Sequence, residues 1–254
     1  MSAALEFRDV SVVTASGRAL LQSVSMAIEE GSVTAIIGRS GSGKTTLLRT
    51  VNRIIEPASG EVLVAGSPER DVVALRRRMG YVIQETGLFP HFTVERNVGI
   101  VLEAEGHSMA ERAGRTRELL QLVGLDAATF GGRYPHQLSG GQRQRVGLAR
   151  ALAAKPRILL MDEPFGALDP LTRAEMQDMV RELLASVKTT VLLVTHDLDE
   201  ALYLADRIIL LSDGKVVVDV PRHEFLNSDH PEVISYARAF HRGQTRVAGE
   251  VHSA

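Results

Sequence analysis

Residues 38–45, Gly-Arg-Ser-Gly-Ser-Gly-Lys-Thr, constrain this chain more than any other stretch. An apolar run at 33–37 precedes them, and residues 46–51 continue with the pattern of a helix. Strand, glycine loop, helix is the setting a phosphate-binding loop requires. Gly38, Gly41 and Gly43 let the backbone turn sharply with no Cβ in the way of a phosphate. The N–H groups around Ser40 and Ser42 then point inward, with the positive end of a helix dipole behind them. In such a loop Lys44 reaches the β- and γ-phosphates and the Thr45 hydroxyl binds Mg²⁺, with Thr46 next in line at the nucleotide. The competing reading is a glycine-rich turn carrying a surface lysine.

The 254 residues are enough for one large domain or two small ones with a substantial core. A net charge of −2 gives no general pull toward nucleic acid or an anionic membrane surface. With no cysteine, disulfides and thiolate metal sites are excluded, which suits a reducing cytoplasm. Acidic residues stand where a signal peptide would have its apolar stretch, and apolar runs such as 158–161 and 191–194 are far too short to span a bilayer. Work at a membrane would need another chain to supply the crossing.

Alternation over 4–37 predicts strands at 5–8 and 19–28 around a turn at Ser16-Gly17, forming an antiparallel sheet that leads into the first parallel strand. Further strands are expected at 61–65, at 80–84 ending on Gln84, at 157–161, at 190–195, and as a hairpin over 207–219 around Asp213-Gly214. Helices are expected within 94–125, one starting at the Ser108/Glu111 capping box, then to about Ala154, and over 170–187 and 197–205. The Arg76-Arg77-Arg78 cluster reads as a solvated helix face, with phosphate contact as the alternative. Strands alternating with helices imply an α/β fold with a parallel sheet covered on both faces. The helix-rich stretch at about 88–153 interrupts that alternation as an inserted helical subdomain of a domain spanning 1–220.

Leu138-Ser139-Gly140-Gly141-Gln142 forms a second anion nest at a helix start, unless it merely caps that helix. One chain rarely needs two helix N-termini for a single nucleotide. A head-to-tail homodimer would place each nucleotide between residues 38–45 of one copy and 138–142 of the other, and a two-fold axis makes two such sites at once.

With these residues in view, the sequence resembles the ATP-binding cassette (ABC) ATPases over nearly its whole length. Residues 38–45 look like the Walker A loop, Gln84 the Q-loop glutamine, 138–142 the signature, 158–163 Walker B, 167–169 the D-loop, and Thr195-His196-Asp197 the switch histidine. The resemblance implies a RecA-like P-loop NTPase core with an N-terminal antiparallel β subdomain, ATP with Mg²⁺, and dimerisation on ATP binding. It implies that Asp162 supports Mg²⁺ through its water shell and that Glu163 is the general base. By the same resemblance His196 contacts the γ-phosphate, Gln84 touches Mg²⁺ or water, and Asp169 crosses the dimer contact. Many relatives stack adenine on an aromatic residue near positions 13–14; here Val12-Val13-Thr14 stands instead, and Val13 would supply an apolar contact.

The stretch 80–94, GYVIQETGLFPHFTV, together with 134–142 and 161–173, is similar to bacterial importers of quaternary-ammonium osmoprotectants such as glycine betaine, carnitine and choline. That implies transmembrane permease subunits docking near Leu88, Phe89 and Phe92, which could equally be core residues of the helical subdomain. A solute-binding protein would be an indirect partner. It also implies residence at the cytoplasmic face of the inner membrane. The motor of an exporter or lipid transporter stays open as an alternative. So does a soluble cassette ATPase of DNA repair or translation, although neither a long coiled coil nor a second cassette appears. Residues 221–254 are too few for a regulatory domain. They are expected to form a short amphipathic helical finish from Phe225 to Phe240 and then a frayed polar tail.

Overall fold

A computed structural model describes residues 3–84 and 86–250. Among the described residues nine strands run β1 (Ala3–Val13), β2 (Ala19–Glu29), β3 (Val33–Ile37), β4 (Ser59–Val64), β5 (Met79–Val82), β6 (Ile158–Asp162), β7 (Thr190–Val194), β8 (Arg207–Ser212) and β9 (Lys215–Pro221). The helices are α1 (Lys44–Val51), α2 (Val72–Arg77), α3 (Val94–Ala104), α4 (Met109–Leu122), α5 (Ala127–Phe130), α6 (Gly140–Ala151), α7 (Pro170–Ser186), α8 (Leu198–Leu204), α9 (Arg222–Phe225) and α10 (Pro231–Glu250).

The strands make two sheets. A small antiparallel one has the order β2-β1-β4, and a six-stranded one has the order β5-β6-β7-β3-β8-β9, parallel except for the β8–β9 hairpin. The period of two in a strand explains why β3, β6 and β7 carry apolar residues at nearly every position. On one face Ile36, Leu160, Leu192 and Ile209 pack with β1, β2 and α1; on the other Ala35, Ile37, Leu159, Met161 and Leu193 pack with α3, α4, α6, α7 and α8. Each fully buried side chain of this kind contributes about 1.5–3 kcal/mol.

Parallel pairing also places the site. The chain leaves β3, β5, β6 and β7 at the same edge, the carboxyl edge, where open α/β sheets form their crevice. Two hydrogen bonds extend the ladder past the strand ends: Glu163 N–H donates to Val194 O at 2.9 Å, and Thr195 N–H to Ile36 O at 3.1 Å.

Several expected boundaries differ, β1 running over Ala3–Val13 where residues 5–8 were expected. β5 ends at Val82, so Gln84 stands in a turn beyond the strand. Arg150 on α6 donates to the carbonyls of Thr86 and Gly87, both at 2.7 Å, and draws this turn off the sheet. α6 stops at Ala151, before the expected Ala154. The C-terminal stretch is two helices, and α10 runs on to Glu250 where a frayed tail was expected. Val233, Tyr236, Ala237 and Phe240, at the i, i+3, i+4, i+7 spacing of one helix face, seat it on the core; residues 251–254 lie outside the described ones. As for the basic cluster, Arg76 donates to Asn52 O and Arg53 O at 2.9 and 3.0 Å, tying α2 to the end of α1, while Arg78 pairs with Glu69 in solvent. Among the described residues no helix is long and apolar enough to cross a membrane.

Candidate active site at the carboxyl edge of the sheet

The loop 38–45 hangs between β3 and α1. Gly38 has φ 154°, and a Cβ there would come within 2.2 Å of Leu211 O, so no other residue fits without moving the β8–β9 hairpin. Gly214 N–H, in that hairpin, donates to Ser42 O at 3.0 Å and holds the loop from outside. The Ser42 hydroxyl is buried with no partner in the protein. A buried hydroxyl left without a partner in a glycine loop suits a phosphate oxygen. Ser40 and Gly41 are exposed, and Thr46 is half-buried on the first turn of α1.

Lys44 is buried, its Nζ donating to Gly38 O at 2.8 Å and Arg39 O at 3.0 Å. Burial lowers its pKa from the usual lysine value, with the carboxylates of Glu163 and Asp162 opposing. Both carboxylates come from the end of β6. Asp162 is the last strand residue, and its Oδ1 accepts from Thr45 Oγ1 at 2.9 Å. Glu163 follows with φ 46°, which turns it away from the strand direction. Its Oε2 lies 3.4 Å from Gln84 Nε2 and 3.3 Å from His196 Nδ1. Lys44, Thr45, Gln84, Asp162, Glu163 and His196 thus converge from four strand ends although they span 153 positions of the chain.

Ser139 caps α6 in a reciprocal box: its Oγ accepts from Gln142 N–H at 3.2 Å, and Gln142 Oε1 accepts from Ser139 N–H at 3.0 Å. The cap leaves Ser139 and Gly140 exposed to solvent. Gly141 is buried, and a Cβ on it would meet Thr172 Cγ2 at 2.5 Å, so this start of α6 lies directly against α7. Asp169 caps α7 by accepting from Thr172 N–H at 3.1 Å, and hydrogen bonding from the Thr172 side chain first, then from its N–H, holds the carboxyl below the usual range. Leu168 and Thr172 lie against the glycines of 138–142, whereas Leu20, Leu21, Leu211 and Gly214 lie against 38–45. Within one copy, then, the two glycine-rich helix starts stand on different supports. Val13 is 49% exposed at the end of β1.

Some residues escaped the sequence reading. Tyr81 donates to Asp162 Oδ2 at 3.4 Å, and buried Gln144 on α6 donates to Pro164 O, linking α6 to the segment after Glu163. The family's glutamine and glutamate letters carry no hint of either. Glu200 on α8 is buried with Oε1 unpartnered; burial first, then the Asp197 carboxylate, pushes its pKa up to about 8, against the pull of Thr195 and Arg173. A carboxyl raised in the fold above its unfolded value of 4.5 favours folding fully below pH 4.5. That contribution is lost as pH rises through about 8. Glu200→Gln is therefore expected to be more stable than wild type at pH 9, on the order of 2 kcal/mol or about 5 °C in Tm, with the gap closing toward pH 5. Parallel thermal melts across that range check this, and a pH-independent gap would exclude a charge origin.

The family model described as ABC transporter matches residues 21–166, which hold the loop 38–45, the start of α6, Asp162 and Glu163. The chain belongs to that family. It is 46% identical over 215 residues to the glycine betaine/carnitine/choline transport ATP-binding protein of Bacillus subtilis, covering 84% of this chain and 56% of the relative. With the glycine betaine uptake system ATP-binding protein of Escherichia coli the identity is 48%, covering 84% and 69%. The chain spans about half the length of the curated relatives it matches. Among solved structures, a cassette of a Clostridium perfringens ABC transporter complex superposes with TM-score 0.82 at 28% identity, covering 91% of this chain and 93% of that one. A dimeric ATP-binding cassette in a post-hydrolysis state with ADP and Pi has TM-score 0.76 at 34% identity, covering 86% and 98%. The fold is that of the ATP-binding cassettes, a P-loop NTPase core with its antiparallel β sheet at the N-terminal end, and the nucleotide of this family is ATP.

Proposed function

We propose that this chain is the ATP-hydrolysing subunit of a bacterial ABC importer that takes up a quaternary-ammonium osmoprotectant such as glycine betaine. The observation that carries the reading is the meeting of Lys44, Thr45, Asp162, Gln84 and His196 around Glu163, a constellation suited to cleaving a terminal phosphate.

Each residue then has one task. Lys44 and the N–H groups of 38–45 hold the β- and γ-phosphates, and the Ser42 hydroxyl gains the partner it lacks in the protein. Thr45 and Asp162 offer hard oxygen donors side by side, a set that fits Mg²⁺ carried in with the nucleotide, and the Gln84 amide oxygen would join them. Bound there, the ion would neutralise charge on the phosphate oxygens. Glu163 accepts the proton of an attacking water, and Gln84 and His196 keep its carboxylate aimed. Ser139, Gly140, Gly141 and Gln142 of a second copy close the site from the other side, and Asp169 lies at the same contact. Val13 supplies an apolar surface for adenine.

Coupling to transport follows from differential binding: ATP pulls two copies together because the closed pair binds it better than the open one. Permease subunits would sense that closure on the surface near the Q-loop. Phe89 is 42% exposed there, its ring tilted against Phe92 with centroids 5.2 Å apart, and the Arg96 guanidinium lies over the Phe92 ring. Leu88 instead packs on the core. Buried Asn97 fixes this loop by accepting from Phe89 N–H and donating to the carbonyls of Phe89, Phe92 and Thr93. The chain would sit at the cytoplasmic face of the inner membrane, attached through those permeases and served by a solute-binding protein.

Uptake of labelled glycine betaine, choline and carnitine by cells with and without this gene tests the reading. Loss of uptake of at least one is expected on deletion, restored by the wild-type gene. Unchanged uptake of all three would overturn the proposed cargo class.

A further inference from the structure

His196 is held at two ends. Its ring faces Glu163, while its main-chain carbonyl accepts a hydrogen bond from the Tyr236 hydroxyl of α10 at 2.8 Å. The imidazole is 61% exposed, so packing does little to fix it and its aim depends on where the main chain of residue 196 sits. We propose that Tyr236 is a positioning residue for ATP hydrolysis, acting through His196: the strut from α10 sets the height of the switch residue over the γ-phosphate site.

The strut has a firm base. Val233 is fully buried, and Ala237 and Phe240 pack on the same core, so the turn that carries Tyr236 is anchored before and after it. Next to it, Arg39 of the phosphate loop reaches Ser235 Oγ at 3.4 Å. Tyr236 itself lies by Gly38, whose backbone hydrogen bonding lowers the phenol pKa. Burial outweighs that and, with the charges of Asp197 and Glu163, pushes it up to about 12, so the hydroxyl remains a donor at any working pH. A cavity of about 250 Å³ lined by Arg39, Asp213, Glu232, Ser235 and Tyr236 borders the contact. One helix touches both the loop that holds the phosphates and the residue that senses the last of them.

This inference rests on the reading of His196 as the residue that acts at the γ-phosphate. In the full chain, Tyr236→Phe removes one oxygen and keeps the ring. Its expected effect is a fall in kcat of about five- to tenfold, the worth of one hydrogen bond, with KM for Mg-ATP within about twofold of wild type. ATP-dependent dimerisation is expected to be equal in Glu163→Gln and in Glu163→Gln/Tyr236→Phe, which a merely structural role for the tyrosine would not leave untouched. His196→Ala in the same assay separates premise from inference. Full activity of His196→Ala would remove the premise and the proposal with it. A silent His196→Ala beside a Tyr236→Phe of wild-type kcat would overturn the proposal alone. So would a Tyr236→Phe whose ATP binding and dimerisation weaken as much as its turnover.

Discussion

Glu163→Gln is expected to lower ATP turnover by on the order of 10²–10⁴-fold while leaving Mg-ATP binding intact. The amide keeps the shape and can still meet Gln84 and His196, which lie 3.4 and 3.3 Å from Oε2, but it cannot take a proton from water. Because the φ of 46° at residue 163 belongs to the backbone turn and not to the side chain, the substitution leaves the loop geometry alone. Blocked hydrolysis should trap the closed pair. Size-exclusion chromatography with Mg-ATP is therefore expected to move the variant to dimer mass, and the wild type only transiently. Turnover at the wild-type rate would remove Glu163 from the role of base; a monomer at saturating Mg-ATP, even with its permease, would count against the shared site.

The second large effect concerns that sharing. Lys44→Ala removes the buried ammonium beside Gly38 O and is expected to cost on the order of 10²–10³-fold in rate. Gly140→Asp places a negative charge at the other nest. The nearest atom to a Cβ at Gly140 is Leu168 Cδ2 at 3.9 Å, so the side chain has room, and a carboxylate in the first turn favours the α6 helix itself. Each variant alone is expected to be nearly silent. An equal mixture should regain up to about a quarter of wild-type turnover, since half of the pairs are mixed and each mixed pair keeps one whole site of two. Hydrolysis by the mixture, set against the sum of the two alone, checks it. No gain over that sum would mean that each chain completes its own site.

Much of this was legible in the sequence for a local reason. A glycine loop between a strand and a helix, a Ser-Gly-Gly helix start and an apolar strand ending in Asp162-Glu163 each lie within a few neighbouring residues, and short-range pattern is what a linear reading resolves. One boundary that went astray depended on a distant partner. β5 ends early because Arg150, more than sixty positions on, holds the carbonyls of Thr86 and Gly87. α10 continues to Glu250, beyond the apolar positions that recommended it. The aromatic cluster shows the same split: Leu88 belongs to the core and Phe89 to the surface, although one stretch of sequence holds both.

From its sequence alone the chain declared a nucleotide-binding α/β fold and offered candidate residues for binding and cleaving a phosphate. Tertiary structure decided which side chains meet: that Glu163 stands between Gln84 and His196, that Glu200 is buried beside Asp197 and holds its proton to about pH 8, and that Tyr236 reaches across forty residues to the carbonyl of His196. The reason is physical. Hydrogen bonding and burial act through space, and the parallel sheet gathers the ends of strands that the chain itself keeps far apart.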